Sequence, residues 1–80
     1  MAVQNLKSKI DWFIINKVRE FRLAKKLGQI HLAVQIGKSL GYIGQIESPK
    51  SKSRYNTDDL NALAKLFKCS PKDFWPEKAL

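Results

Sequence analysis

The sequence predicts an all-α domain of five helices, and three observations carry that prediction. Apolar residues recur at three- and four-residue spacing in successive stretches, the pattern of helices that bury one face. Capping signals stand where such stretches begin, at Ser8, Thr57 and Ser70-Pro71. Between Gln29 and Glu47 the helical spacing stops at Gly37 and resumes after Ser39, which divides the segment into two short helices joined by a tight turn. The expected helices cover residues 9–26, 29–36, 40–47, 58–68 and 71–75. A chain of 80 residues has room for one domain and one small core.

The first helix opens on Ser8-Lys9-Ile10-Asp11, where the serine hydroxyl and the aspartate can satisfy amides of the first turn; Asn5 is an alternative cap. Ile10, Phe13, Ile14, Val18, Phe21 and Ala24 set its buried stripe. Lys25 and Lys26 suit its C-terminal end, where cations offset exposed carbonyls, and Leu27-Gly28 closes it. Trp12 and Ile15 lie off that stripe and fit either a wider buried face or a contact with a second subunit or partner.

Gln29 opens the second helix, in which Ile30, Ala33, Val34 and Ile36 follow helical spacing and the small Ala33 permits close approach of a neighbour. His31 faces water and has no second ligand near it in sequence. Ser39 caps the third helix, which turns Ile43 and Ile46 inward and leaves Leu40, Gly41, Gly44 and Gln45 outside. This is a helix-turn-helix signature: one helix holds the next at a steep angle, with a face left bare for the major groove of DNA. The amide of Gln45 donates and accepts together, as the edge of adenine requires, and Leu40 suits a thymine methyl group. Gln29, near the positive end of its helix, can reach a phosphate and also support the third helix. Tyr42 fits a phosphate contact and the rim of the core equally well. Gly41 and Gly44 each cost about 1 kcal/mol against alanine in a helix interior, but they allow close approach of the backbone to DNA.

Residues 48–55, SPKSKSRY, have no apolar period, and Lys50, Lys52 and Arg54 alternate there with small hydroxyl residues, a composition suited to phosphate contacts. Thr57 is the expected cap of the fourth helix, with Asp58 and Asp59 in its first turn and Leu60, Leu63, Ala64 and Phe67 as its core stripe. Ser70-Pro71-Lys72-Asp73 opens a fifth helix that ends at Pro76, with Phe74 sealing the core and Cys69 a small core or rim residue.

Fifteen Lys and Arg against seven Asp and Glu give a formal net charge of +8, all of it carried by residues 1–55. A basic face on a small domain implies a polyanion, because each phosphate it neutralises releases counterions. The single cysteine forms no internal disulfide, and the longest apolar run near the start, Trp12 to Ile15, is too short for a signal-peptide core or a membrane span. A cytoplasmic protein is expected. No paired nucleophile and base, phosphate-cradling glycine loop or metal-ligand spacing is present, so the sequence implies neither an enzyme nor a cofactor.

Arg22, Gln29, Leu32-Ala33, Gly37, Ser39, Ile43 and Gln45-Ile46-Glu47 stand at spacings that resemble the Cro and phage-repressor family of helix-turn-helix domains, often called the XRE family. The resemblance covers about residues 18 to 75 and implies a compact five-helix, lambda-repressor-like domain that binds operator DNA. It implies a structural ion pair between Arg22 and Glu47. It places Leu40 and Gly41 at bases, beside the Gln45 that amide chemistry already assigns there, and it makes Trp75 a dimer-contact candidate, although core packing suits Trp75 as well. Phosphate contacts then fall to Gln29, Lys38, Ser39, Tyr42, Lys50, Lys52 and Arg54. Lys38 replaces the family's apolar turn residue and Gly28 its usual capping hydroxyl, so Leu40 could instead turn inward and leave Gln45 almost alone at the bases. The expected function is a sequence-specific transcriptional regulator, a repressor acting as a homodimer on double-stranded DNA, its recognition helices about 34 Å apart. The alternative is an antitoxin-like or adaptor protein that binds another protein through Trp12, Ile15 and Trp75.

Overall fold

A computed structural model describes residues 6–80. The expected alternative cap, Asn5, lies outside the described residues. Four α-helices follow in order: α1 (Lys9–Ala24), α2 (Gln29–Ile36), α3 (Leu40–Glu47) and α4 (Thr57–Phe67). The expected fifth helix is instead a single 3-10 turn over Pro71–Phe74. Four residues between Ser70 and Trp75 close i to i+3 bonds, from the Asp73 amide to the Ser70 carbonyl at 2.9 Å and from the Trp75 amide to the Lys72 carbonyl at 3.1 Å. Trp75 is already extended and Pro76 follows, so a wider α-helical ladder has no residues in which to form.

Local chemistry sets each boundary. Ser8 caps α1 in a reciprocal box, the Asp11 amide donating to the Ser8 hydroxyl and the Ser8 amide to the Asp11 carboxylate, both at 3.1 Å. The helix ends two residues short of the expected position because Lys26 turns left-handed, at φ 58°. The Leu27 amide then bonds the Arg22 carbonyl at 3.0 Å and the Lys26 amide the Leu23 carbonyl at 3.0 Å, which satisfies two carbonyls of the last turn. Lys68 closes α4 in the same way at φ 57°, and Gly37 closes α2 at φ 71°. Gly28 supplies no side-chain cap; its own amide donates to His31 Nδ1 at 2.9 Å. The cap of α4 is Asn56 rather than Thr57. Asp59 stands three residues after Asn56 and so can close the box with it, at 2.7 and 3.3 Å, whereas the residue three after Thr57 is the apolar Leu60.

The core takes Ile14, Ile15 and Val18 from α1, Leu32 and Ala33 from α2, Ile43 and Ile46 from α3, and Leu60, Leu63, Ala64 and Phe67 from α4. Phe74 seals it, meeting Phe21 and Phe67 edge-on at 5.5 and 6.1 Å between ring centres. Ile15 is buried and Trp12 half-buried against this core, so the wider buried face is the arrangement found and Ile15 offers no partner surface. Two residues of the expected α2 stripe face the other way: Ile30 is half exposed and Val34 is 74% exposed. Helix α2 packs against both α3 and α4, and it turns Leu32, Ala33 and Ile36 to the core.

Candidate nucleic-acid interface

Helix α3 is fixed from behind and bare in front. Ile43 and Ile46 are fully buried at 0% exposure, while Leu40 (49% exposed), Gly41 and Gln45 lie on the outer side. Leu40 therefore does not turn inward. Gly44 is half-buried and faces Gln29, whose Oε1 would lie 4.0 Å from an added Cβ; at Gly41 an added Cβ would meet only the Ser39 hydroxyl, at 3.9 Å.

The N-terminal end of α3 is fastened to α4. Ser39 caps the helix, its hydroxyl accepting from the Tyr42 amide at 3.2 Å. The Tyr42 hydroxyl donates to the buried Asp59 carboxylate at 2.6 Å, and the Lys38 ammonium reaches that carboxylate at 3.3 Å and the Tyr42 hydroxyl at 3.1 Å. Burial and the Asp59 hydrogen bond push the Tyr42 phenol above its ordinary range. The bond to Tyr42, with the nearby Asp59 charge, raises the Lys38 ammonium. Tyr42 and Lys38 are thus engaged at the rim of the core.

The C-terminal end is held twice. Arg22 and Glu47 form a buried ion pair at 3.1 Å. Arg22 also donates to the Leu27 carbonyl at 3.1 Å, and Gln29 Nε2 donates to the same Glu47 oxygen at 3.0 Å. These bonds join the end of α1, the start of α2 and the end of α3. Lys7 provides the second hold, and sequence reasoning did not find it. Only 3% exposed, its ammonium donates to the carbonyls of Gln45 at 3.4 Å, of Ser51 at 2.6 Å and of Ser48, while resting 4.7 Å from the Trp12 ring centre. Burial lowers its pKa against the opposing charge of Asp11. In sequence Lys7 is one basic residue among many, one position before a helix cap, and no local signal sets it apart.

The segment after α3 is drawn against the helix end by that amine and leaves Lys50 and Lys52 exposed. The Lys50 amide donates to the Ser48 hydroxyl at 3.1 Å and the Ser53 amide to the Ser51 hydroxyl at 3.1 Å, so the small residues order the loop. Arg54, also exposed, pairs with Asp11 at 3.4 Å, and Tyr55 is buried behind the loop. Burial, reinforced by the charge of Glu47, pushes the Tyr55 phenol far upward.

No family model and no curated protein matches the sequence. Among solved structures, the crystal structure of the restriction-modification controller protein C.AhdI from Aeromonas hydrophila is similar, with a TM-score of 0.67 and 25% sequence identity over 79% of this chain and 92% of that one. The fold is a helix-turn-helix domain of the Cro type.

In the helix-turn-helix domain α2 supports α3 across the turn, and Leu40, Gly41 and Gln45 lie on the open face of α3. The sequence-derived set does not form one cluster. Gln29, Arg22 and Glu47 meet beneath α3; Lys38, Ser39 and Tyr42 gather at its N-terminal end; Lys50, Lys52 and Arg54 follow its C-terminal end. Trp75 stands elsewhere, half exposed and lining a surface groove with Ile10 and Pro76. Among the described residues no cluster of His, Cys, Asp and Glu could hold a metal ion, and no helix is long and apolar enough to cross a membrane.

Proposed function

We propose that this chain is a sequence-specific DNA-binding transcriptional regulator that lays α3 in the major groove. The observation that carries the reading is the division of α3 into a wholly buried face, Ile43 and Ile46, and an open one, Leu40, Gly41 and Gln45, in a domain with a +8 charge. The Gln45 amide reads an adenine edge, Leu40 covers a thymine methyl, and Gly41 brings the backbone close. Lys50, Lys52 and Arg54 hold phosphates after the helix. Gln29 and Ser39 do so at helix N-termini, and Lys38 does so with the ammonium proton that its bonds to Tyr42 and Asp59 leave free, while Tyr42 reaches a phosphate only by withdrawing its one hydroxyl proton from Asp59. The protein acts in the cytoplasm as a homodimer on a two-fold operator and represses by occlusion, with Trp75 in the dimer contact. The neighbour's role makes restriction-modification genes the first targets to test.

Selection from a random duplex library at low and physiological salt tests this reading. A two-fold motif with half-sites about one helical turn apart, about 34 Å, is expected. Binding without a motif that vanishes at physiological salt would leave only a non-specific electrostatic footprint.

A second reading, an antitoxin-like or adaptor protein, is favoured by the exposed Leu23, Ile30 and Val34. It predicts a protein partner whose binding survives Gln45→Ala and fails with Val34→Lys.

A further inference from the structure

We infer that Lys7 is a positioning residue for DNA readout: from outside the helix-turn-helix motif, its buried ammonium holds the last turn of α3 and the loop behind it, so that Gln45 meets the groove in one orientation. The inference rests on the DNA-binding reading above and assigns a specificity role to a residue that touches no DNA.

The argument begins with the weakness of α3 itself. It has eight residues, two of them glycine, and a helix that short does not hold its last turn by its own hydrogen bonds. At its C-terminus only the Ser48 amide, bonding the Gln45 carbonyl at 3.2 Å, continues the ladder. Lys7 meets the need on three counts. An ammonium has three donors, and three carbonyls, of Gln45, Ser48 and Ser51, receive them. The charge sits where the carbonyl ends of the helix dipole collect. The amine is anchored in turn, since Trp12 of α1 lies beneath it. One of the three carbonyls belongs to Gln45, the residue whose side chain faces the bases, so holding that backbone unit limits how the amide can point. The other two belong to the loop that carries Lys50 and Lys52. Arg22 and Gln29 fix Glu47 at the end of the helix, and the buried amine of Lys7 is what joins the backbone of the base reader to the loop that carries the phosphate contacts.

This role differs measurably from a phosphate contact. A lysine on a phosphate contributes about 0.9 to the slope of log affinity against log salt, whereas a buried lysine contributes nothing to it. The test begins with a duplex selected by the wild-type chain and a scrambled duplex of the same length. Lys7→Met is expected to weaken binding to the selected duplex about tenfold and to leave the scrambled one within about twofold. The salt slope should stay at the wild-type value, and amides from Ile46 to Ser51 should exchange faster. Lys52→Met, at an exposed position, should weaken both duplexes and flatten the slope by about 0.9. Should Lys7→Met prove unfolded by circular dichroism, Lys7→Gln, which keeps a donor for one carbonyl, takes its place with the same expectations. An unchanged ratio between the duplexes, a flattened slope or unchanged exchange overturns the inference and leaves the DNA-binding reading intact. Failure of the wild-type chain to select any motif overturns that reading itself, and with it the role of Lys7 at DNA.

Discussion

Glu47 shows how much of this fold depends on single side chains. Its carboxylate draws Arg22 from α1 and Gln29 from α2 to the end of α3, and the charged contact with Arg22 is shielded from water. An ion pair taken out of water adds little net stability as a unit, because desolvation offsets most of the attraction. Removing one partner is a different matter. Arg22→Ala leaves a buried carboxylate with one amide donor, and such a loss costs about 3–5 kcal/mol, comparable to the whole stability of a small domain. The expected result is a domain largely unfolded at 37 °C by far-ultraviolet circular dichroism. A melting temperature equal to wild type would refute the structural role, and the double change Arg22→Met with Glu47→Met should cost less than Arg22→Ala alone.

At the scale of the element, backbone conformation leaves stability unused. Lys68 holds a left-handed conformation at φ 57° that glycine adopts without penalty. Lys68→Gly should therefore raise stability by about 0.5–1 kcal/mol, after allowance for the more flexible unfolded chain, measured by urea titration. Helix α3 offers a sharper contrast. A methyl at Gly41 meets nothing nearer than the Ser39 hydroxyl at 3.9 Å, so Gly41→Ala should add about 1 kcal/mol, several degrees in melting temperature. That methyl points from the open face of α3, and on the proposed reading affinity for the selected duplex should fall as the melting temperature rises. Much of this architecture was legible in the sequence, because Ser8 with Asp11, Gly37, Ser39 and the Ile43–Ile46 spacing are local signals of local structure. The errors came where two local choices were both admissible and packing or neighbouring residues decided. Asn56 displaced Thr57 because only it has an aspartate three residues on. Ile30 and Val34 satisfied the helical period yet face outward, since periodicity cannot say which of two apolar faces a neighbour will cover. Lys7 was invisible because its three partners lie 38 to 44 residues away.

For the molecule as a whole, charge governs stability as well as binding. Asp11 links the cap of α1 to Arg54 of the loop. Burial works to raise its carboxyl, but hydrogen bonds from the Ser8 amide and hydroxyl, with the Arg54 guanidinium, outweigh that and hold it below the ordinary carboxylate value. A carboxylate of lowered pKa in the folded state contributes stability above its unfolded value, near pH 4, and loses it as pH falls through the folded value. Acid should therefore narrow the difference in stability between wild type and Asp11→Ala, which urea titrations at pH 6 and below pH 3 would measure. A gap that stayed constant would exclude the linkage. The outward-facing Leu23, Ile30 and Val34 carry a colloidal consequence. Copies bearing a charge of +8 repel one another in dilute buffer, and that repulsion masks the adhesion of their apolar faces. Screening by concentrated salt, or neutralisation along a nucleic acid, removes the mask, so the conditions that crowd this protein together are also those in which it becomes sticky.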